Sequence, residues 1–284
     1  MSTTTQGFNT EAIGQWSDPV QFEVTRERIQ QYAAATNDPI EPHVAGEYAS
    51  PVFAVVPAFG AAGQAALKVI PPELLMMVLH GEQDFHFHAP ILPGTTLSTR
   101  AMPIGMQSRS SGVTVVVRTE TNDADGRLLN EQYWTTFVRG GQASEGAGEG
   151  APPHPFDQAL RGREPDASVS QTFDSDQTFR YAEASGDPMP IHLDDALAKS
   201  LGLPGIIIHG LCTMAFTSVA AIQTACPEDP TRLKRLAVRF AKTIQPEQTI
   251  TTSIWNAGDG SYAYETTSDD GAVVIKDGLA QIRS

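Results

Sequence analysis

The stretch "YAEASGDPMPIH", from Tyr181 to His192, has a counterpart without gaps in "YAAATNDPIEPH", from Tyr32 to His43. The two stretches share Tyr, Ala, Ala, Asp, Pro and His at matching positions. In both, an Asp precedes a His in a segment that proline interrupts, and proline excludes a continuous helix there. Fully extended, the five steps from Asp187 to His192 would span roughly 16 Å, so this segment must curl if the two side chains act on one water.

The similarity between the two halves extends beyond this motif. "RFAKTIQPEQTITTSI" at 239–254 matches "HFHAPILPGTTLSTRA" at 86–101 in its Phe, its proline turn and its Thr-rich strand. Matching blocks in the same order indicate an internal duplication. Between them, "GQASEGAGEGAPPHP" contains little that could be buried, as is typical of a linker. We predict an N-terminal repeat at 1–140, a linker at 141–156 and a C-terminal repeat at 157–284.

Both halves show the same order of predicted elements: a short helix, a proline-containing segment, a longer apolar helix and several strands. In the second half, Asp176 is a predicted N-cap and Gly186 a predicted helix end. The longer helix, at 211–225, is apolar on nearly all sides and is predicted to be central; its counterpart is predicted at about 58–69. Period-two patterns predict strands at 80–90, 95–104, 112–121, 129–139, 234–240, 248–256, 261–267 and 272–282. This order predicts an α+β fold, with a sheet wrapped around a helix in each repeat.

Composition narrows the class of protein. Of the 284 residues, 40% are apolar and 18% charged, which favours a packed globular chain. The net charge of −14 argues against nucleic acid as a partner, because phosphate binding requires a basic face. No apolar run has the length of a membrane span, and the first residues lack the pattern of a signal peptide. We expect a cytoplasmic protein with neither a nucleic-acid nor a membrane partner.

The second copy of the motif is the candidate catalytic segment. A carboxylate and an imidazole around one water form a general acid–base device, although Asp187 and His192 could equally be a loop cap and a backbone-bonded histidine. The segment "GIIIHGLCTM" follows and places His209 and Gly210 at the start of the buried helix. The first N–H groups of a helix lack partners within it, so Gly210 could offer a backbone donor to a thioester oxygen. Base, acid and oxyanion donor together make a complete catalytic set.

Three segments carry a family resemblance: "YAEASGDPMPIHLDDALAKSLGLPGIIIHG", "VLHGEQDFHFHAPILPG" and "LAVRFAKTIQPEQT". They resemble the MaoC-like, (R)-specific enoyl-CoA hydratase 2 family of the double-hotdog type. The resemblance implies a double hotdog, in which two repeats each wrap an antiparallel sheet around a central helix. It also implies a homodimer, an acyl-CoA thioester substrate, and neither a metal nor a redox cofactor.

The resemblance also assigns site residues. Asp187 and His192 fall on the catalytic pair, and Gly210 on the residue whose N–H holds the thioester oxygen. The predicted substrate-binding residues are His80, Gly81, Arg109, Met189, His209, Phe240, Arg239 and Lys242. Met189 stands where the family usually has Asn, so a polar group is missing there.

Two further sets of residues leave alternatives open. The basic residues between Arg232 and Lys242 form either a solvated strand edge or a clamp for the phosphates of CoA. In the first copy of the motif, we expect Asp38 and His43 to have lost the chemistry, with the first repeat helping to shape the acyl pocket.

The activity implied is reversible addition of water to trans-2-enoyl-CoA, giving (3R)-3-hydroxyacyl-CoA. One alternative is a 3-hydroxyacyl-thioester dehydratase in lipid or polyketide synthesis. Another is a non-catalytic acyl-CoA-binding protein.

Overall fold

The computed structural model describes residues 7–283; residues 1–6 and 284, which belong to the two predicted repeats, lie outside that range. The helices are α1 (Arg26–Ala35), α2 (Glu41–Val44), α3 (Val55–Leu67), α4 (Gln177–Ser185), α5 (Asp195–Ser200) and α6 (Gly210–Ala225). The strands are β1 (Val20–Val24), β2 (Val78–Phe87), β3 (Thr95–Arg109), β4 (Gly112–Asn122), β5 (Leu128–Arg139), β6 (Ala147–Gly148), β7 (Ala167–Thr172), β8 (Leu233–Phe240), β9 (Thr249–Gly258), β10 (Ser261–Ser268) and β11 (Val273–Ile282).

The predicted strands correspond to β2–β5 and β8–β11, so the α+β class is confirmed. Alternation of buried and exposed side chains marks these strands, and it is what the period-two patterns detected. None of the helices in the described range has the length and hydropathy that a membrane crossing requires.

The chain forms two compact units, of which the first contains residues 7–22, 57–86 and 96–153. Its strands β3, β4 and β5 pair antiparallel in succession, and β2 lies beside β5. Part of the predicted linker belongs to this sheet. Its residues Ala147 and Gly148 form β6, which pairs with β3 at Met106 and Gly105. A Cβ atom at Gly105 would lie 2.2 Å from the Glu149 carbonyl oxygen, so only glycine allows this close approach.

The second unit contains residues 23–56, 87–95 and 154–283. Its strands lie in the order β8-β11-β10-β9-β7, and α6 packs against all five. Every side chain from Leu211 to Ile222 is buried, which confirms the central position predicted for this helix. A sheet wrapped around one buried helix is the hotdog arrangement.

Both copies of the motif lie in this second unit, where α1 packs against α4. The Gln177 side-chain amide donates to the Ala35 carbonyl at 2.6 Å, and the hydroxyl oxygens of Tyr32 and Tyr181 lie 3.3 Å apart. Residues 23–56 thus group with the C-terminal unit although they precede the linker. The repeat boundaries at 1–140 and 157–284 stay a prediction. They describe similarity between two parts of the sequence, whereas the compact units describe which residues pack together.

Helix boundaries differ from the predictions at two places. The helix α3 begins at Val55 rather than near 58, and Pro57 lies in its first turn, where a missing N–H costs no hydrogen bond. Asp176 precedes α4 but its side chain makes no cap hydrogen bond; it pairs instead with the Arg180 Nε at 3.0 Å. Gly186 ends α4 with φ of 75°, as predicted.

Candidate active site

The loop that carries Asp187 begins at the left-handed turn of Gly186. The Asp187 backbone N–H donates to the Ser185 hydroxyl oxygen at 3.3 Å, and the Met189 N–H donates to Asp187 Oδ1 at 3.2 Å. These short-range bonds curl the segment that the two prolines keep out of a helix. The carboxylate is half-buried and keeps its Oδ2 for other partners.

The imidazole of His192 lies at the end of a 3₁₀ turn, Pro190–His192, and is 8% exposed. Its Nδ1 lies 2.7 Å from the Ile207 carbonyl oxygen. Because a carbonyl only accepts, Nδ1 carries the hydrogen and Nε2 bears the lone pair. Among the described residues no hydrogen bond occupies Nε2, so this nitrogen is available to an incoming group.

The ring of His209 joins the two members of this pair. It occupies the residue before α6, and its Nε2 donates to the Asp187 backbone carbonyl at 3.1 Å. Its face stacks on His192, with ring centroids 3.7 Å apart and an angle of 25° between the planes. His209 was predicted to bind substrate, which stays a prediction; in the structure it is 1% exposed and contacts both Asp187 and His192.

One carboxylate oxygen of Asp187 and one ring nitrogen each of His192 and His209 all lie within 4.8 Å of one another. Two acceptors that share one water lie up to about 5.5 Å apart, so this spacing suits a water held between carboxylate and imidazole. The same spacing occurs in metal sites. However, the in-plane lone pairs of two stacked rings run side by side rather than converge, so the arrangement suits proton transfer better than metal coordination.

Burial sets the charge states of the site. It raises the pKa of the Asp187 carboxyl, against the opposing effect of His192 and the Met189 N–H. It lowers the pKa of the His192 imidazole, which Ile207 and Asp187 partly counteract. Burial and the neighbouring His192 lower the pKa of His209 to about 3. Both imidazoles are therefore neutral near pH 7, and His192 is ready to accept a proton.

Gly210 is the first residue of α6, where backbone N–H groups have no partner within the helix. The Phe240 ring, from the end of β8, lies over it. A Cβ atom at position 210 would lie 3.3 Å from two atoms of that ring. Glycine therefore avoids a tight contact with this ring, and a donor role of its N–H toward a thioester oxygen stays a prediction.

Met189 presents its side chain to solvent, with half of its surface exposed. Its backbone N–H still bonds Asp187 Oδ1, so the loop geometry does not depend on a polar side chain there. The missing amide removes a group that could contact substrate, but not the turn.

The remaining candidates of the second unit are basic residues on and after β8. The Arg239 Nη1 pairs with Asp277 Oδ2 at 3.1 Å, and Lys242 is exposed. Arg232 donates from Nε and Nη2 to the Arg283 carbonyl. Part of the predicted basic cluster is thus engaged within the fold, whereas Lys234 on β8 and Lys242 after it are exposed.

His80, Gly81 and Arg109 belong to the first compact unit. The His80 ring stacks on Trp134 at 5.4 Å, its Nε2 bonds the Gln83 side-chain oxygen at 3.1 Å, and burial lowers its pKa to about 4. A Cβ at Gly81 would lie 3.2 Å from the Thr135 carbonyl oxygen, so glycine permits the close approach of the neighbouring strand β5. A neutral, stacked His80 is a hydrogen-bonding group rather than a cation for phosphate.

Arg109 ends β3 at the turn into β4, and its guanidinium donates to the Gln107 side-chain oxygen at 2.6 Å. It lines an open polar cleft of about 310 Å³ with residues 108–111 and 140–143. An exposed arginine beside serine hydroxyls and glycine N–H groups has the chemistry to contact an anion.

The first copy of the motif has a different geometry. His43 Nδ1 bonds Asp38 Oδ2 directly, at 2.7 Å, and both side chains are buried. The opposite ring nitrogen, Nε2, is buried without a hydrogen-bond partner among the described residues. This pair is closed on itself and sealed from solvent, unlike the pair in the second copy.

Sequence reasoning missed three contributors to the site. The Ile207 carbonyl fixes the His192 tautomer, and no side-chain pattern reveals a backbone partner. The Tyr181 ring lies against His209, with centroids 4.8 Å apart, and Tyr32 lies behind Tyr181. A signal for the tyrosines was present, since each opens one copy of the repeated motif.

Comparison with family models gives matches in both halves of the chain. The MaoC like domain matches residues 157–276, and the FAS1-like dehydratase domain region matches residues 11–132. The first match contains Asp187, His192 and Gly210, and the second contains Asp38 and His43.

Individual relatives agree with these models. The chain is 31% identical over 288 residues to 3-hydroxyacyl-thioester dehydratase Y of Mycobacterium tuberculosis, covering 95% of this chain and 97% of the relative. It is 28% identical over 275 residues to "Probable enoyl-CoA hydratase 2" of Dictyostelium discoideum, covering 93% and 92%.

Solved structures show the same fold. A MaoC-like dehydratase from Phytophthora capsici superposes with a TM-score of 0.86 at 24% identity, covering 97% of this chain and 98% of that one. A Mycobacterium tuberculosis protein with a double hotdog fold gives a TM-score of 0.61 at 16% identity, covering 95% of each chain. The predicted double hotdog is confirmed.

Proposed function

The chain belongs to the MaoC-like dehydratase family and is a hydro-lyase with hydratase or dehydratase activity, and we propose that it is an (R)-specific 2-enoyl-CoA hydratase. Its substrate would be a trans-2-enoyl-CoA thioester and its product the (3R)-3-hydroxyacyl-CoA. The observation that carries the proposal is the clustering of Asp187, His192 and His209, whose side-chain nitrogen and oxygen atoms lie within 4.8 Å of one another, with the Ile207 carbonyl fixing Nδ1 of His192.

In this proposal a water molecule binds between Asp187 and His192. Its oxygen forms a bond to C3 of the substrate while one water proton passes to the lone pair of His192 Nε2. C2 then receives a proton from the acid–base pair, so that one H and one OH are added and the pair regains its starting state. Proton transfers of this kind contribute about 10²- to 10⁴-fold each.

The Gly210 N–H is proposed to stabilise the charge that develops on the thioester oxygen as C3 is attacked. Loss of one such donor typically costs about 10²- to 10³-fold in rate. Phe240 would line the site next to this donor, since its ring lies over Gly210. No residue in this scheme requires a metal or a redox cofactor.

The remaining predicted groups are proposed to bind the rest of the substrate. Arg109 in its polar cleft and the exposed Lys242 are candidates for phosphate contacts of CoA. His80 and Gly81 are candidates for the acyl-CoA thioester. We still expect a homodimer, and light scattering coupled to size-exclusion chromatography measures the oligomeric state. We also still expect a cytoplasmic location.

A second candidate is the reverse direction, dehydration of a 3-hydroxyacyl thioester. It is favoured by the 31% identity to a relative named for that activity. The same groups serve both directions, because the group that takes a proton from water in hydration returns it in dehydration.

The test is a spectrophotometric assay of the enoyl thioester absorbance, run with crotonyl-CoA, dodecenoyl-CoA and a steroid side-chain enoyl-CoA. The proposal expects loss of absorbance with at least one of them and a 3R product on chiral analysis. A 3S product would reject the stereochemistry. Tight binding of these thioesters without turnover would support the non-catalytic alternative and reject the hydratase.

A further inference from the structure

A column of four rings runs through the second unit, in the order Tyr32, Tyr181, His209 and His192. Neighbouring centroids lie 5.7 Å apart between the tyrosines, 4.8 Å between Tyr181 and His209, and 3.7 Å between the histidines. Both tyrosines are buried to 1% exposure or less, and both histidines are buried. The rings thus connect the first residue of each motif copy with the acid–base pair.

Within this column His209 acts on both members of the pair. Its Nε2 donates to the Asp187 carbonyl, and its face supports the His192 ring. Its other nitrogen, Nδ1, is buried without a hydrogen-bond partner among the described residues. One hydrogen bond and one ring face leave its orientation dependent on the tyrosine packed against it.

Tyr181 is in turn fixed by Tyr32. Their hydroxyl oxygens are 3.3 Å apart, and the Tyr32 ring meets Phe53 edge to face at 5.5 Å. Burial raises the pKa of both phenols, so both stay protonated and one donates to the other. Removing one hydroxyl leaves its buried partner unsatisfied, which favours movement of the ring or entry of water.

We propose that Tyr32 and Tyr181 are positioning residues of the active site, which hold the His209 ring against His192 and thereby keep His192 in line with Asp187. The first motif copy would then contribute through its tyrosine to chemistry carried out by the second copy. The proposal deepens the proposed function and rests on it.

A looser column changes the titration of His192 in a defined direction. The titratable groups around His192 are Asp187 from its own loop and His209 just before α6, with Tyr181, Tyr32 and the Cys212 thiol further away. Burial is the main cause that lowers the pKa of His192. Water entering beside a loosened stack would raise that pKa, so the acidic limb of kcat/KM would move to higher pH.

The first experiment removes a ring. Tyr181→Leu takes away the support of His209, and Phe173→Leu is its matched control, because Phe173 is equally buried in the same unit and packs on Phe216 rather than on His209. We expect a fall in kcat of about 10- to 100-fold for Tyr181→Leu with KM nearly unchanged. The control should lose stability but keep kcat.

The second experiment removes hydroxyls and keeps the rings. Tyr32→Phe and Tyr181→Phe each orphan one hydroxyl, whereas the double variant removes both. Thr252→Val is the control, since Thr252 and Thr266 form another buried hydroxyl pair, at 3.0 Å, in the same unit. We expect the single Phe variants to lose about 10-fold in kcat and the double variant to recover part of it.

The His192 titration is followed by NMR of the imidazole signals, which needs no turnover. The expected result is a higher pKa of His192 in Tyr181→Leu and in both single Phe variants, but not in either control. Unchanged kcat and unchanged His192 titration, with stability lost as in the controls, would overturn the proposal. An inactive wild type with the expected NMR shifts would reject the hydratase but keep the positioning role.

Discussion

The two copies of the motif place the same residues at the same spacing and arrive at different chemistry. In both, the first carboxylate oxygen accepts the N–H two residues on, at 2.9 Å from Ile40 and 3.2 Å from Met189. The difference lies in the imidazole: His43 Nδ1 bonds Asp38, whereas His192 Nδ1 bonds the Ile207 carbonyl. A backbone partner for His192 Nδ1 leaves the Asp187 carboxylate free for a substrate water, whereas the Asp38 carboxylate is occupied by His43.

This difference separates a structural pair from an acid–base pair. The Asp38 carboxylate and the His43 Nδ1 satisfy each other, and the remaining His43 nitrogen, Nε2, is buried, so neither side chain is presented to water from solvent. Asp187 is half-buried, and its partner His192 keeps a free Nε2. The structure therefore favours one working pair in the unit, with Asp38 and His43 serving stability.

The largest expected effect comes from the second copy. Asp187→Asn and His192→Gln each remove one half of the acid–base device while nearly keeping its shape. We expect kcat/KM to fall by about 10²- to 10⁴-fold, with folding preserved. Steady-state assays on enoyl-CoA, together with circular dichroism for the fold, measure this.

The matched change in the first copy is Asp38→Ala. It should leave kcat/KM nearly unchanged but lower the free energy of unfolding by about 1–3 kcal/mol, because it leaves the buried His43 Nδ1–H without an acceptor. Urea unfolding gives the stability. A loss of activity as large as that of Asp187→Asn, at full folding, would contradict the division between the two copies.

A smaller effect is expected from His209→Phe. The change keeps an aromatic ring at position 209 but removes its nitrogen atoms. The flat ring can still support His192, but the hydrogen bond to the Asp187 carbonyl is lost. We expect a fall in kcat of about 10- to 100-fold. An unchanged kcat in this variant would show that catalysis does not depend on the hydrogen bond from His209 to the Asp187 carbonyl.

The pH profile sharpens the same contrast. His192 must be neutral to accept a proton, and burial lowers its pKa, so the acidic limb of kcat/KM should lie below the ordinary histidine value of about 6.5. Asp187 partly counteracts this shift, so Asp187→Asn should lower the pKa of His192 further. NMR titration of labelled histidine tests both statements, and a rise in Asp187→Asn would contradict them.

The smallest effect is expected from Met189→Asn. The side chain is half-exposed and its backbone bond to Asp187 is independent of residue type, so stability should change by less than about 0.5 kcal/mol. An added amide within reach of the substrate should raise kcat/KM about 2- to 10-fold, the value of one hydrogen bond. Equal kcat/KM in both forms would show that the amide has no role here.

The sequence was informative where side-chain pattern decides structure. Alternation located the strands, and apolar residues on all sides identified α6 as the central helix. Asp187, His192 and His209 were found because they lie in one short window, bounded by a glycine turn and a helix start.

Other features depend on distant or backbone groups and could not be predicted. The Ile207 carbonyl carries no residue-type signal, yet it decides which nitrogen of His192 is free. The contact between Tyr32 and Tyr181 requires α1 to pack on α4, which no local pattern encodes. The helix α3 begins three residues before the predicted start, because Pro57 fits the first helical turn.

The most direct test of the account is a crystal structure with a (3R)-3-hydroxyacyl-CoA bound. We predict its hydroxyl within about 2.6–3.2 Å of both His192 Nε2 and the Asp187 carboxylate, with the thioester oxygen facing the Gly210 N–H. A product whose hydroxyl lies at Asp38 and His43, or out of reach of either Asp187 or His192, would contradict it.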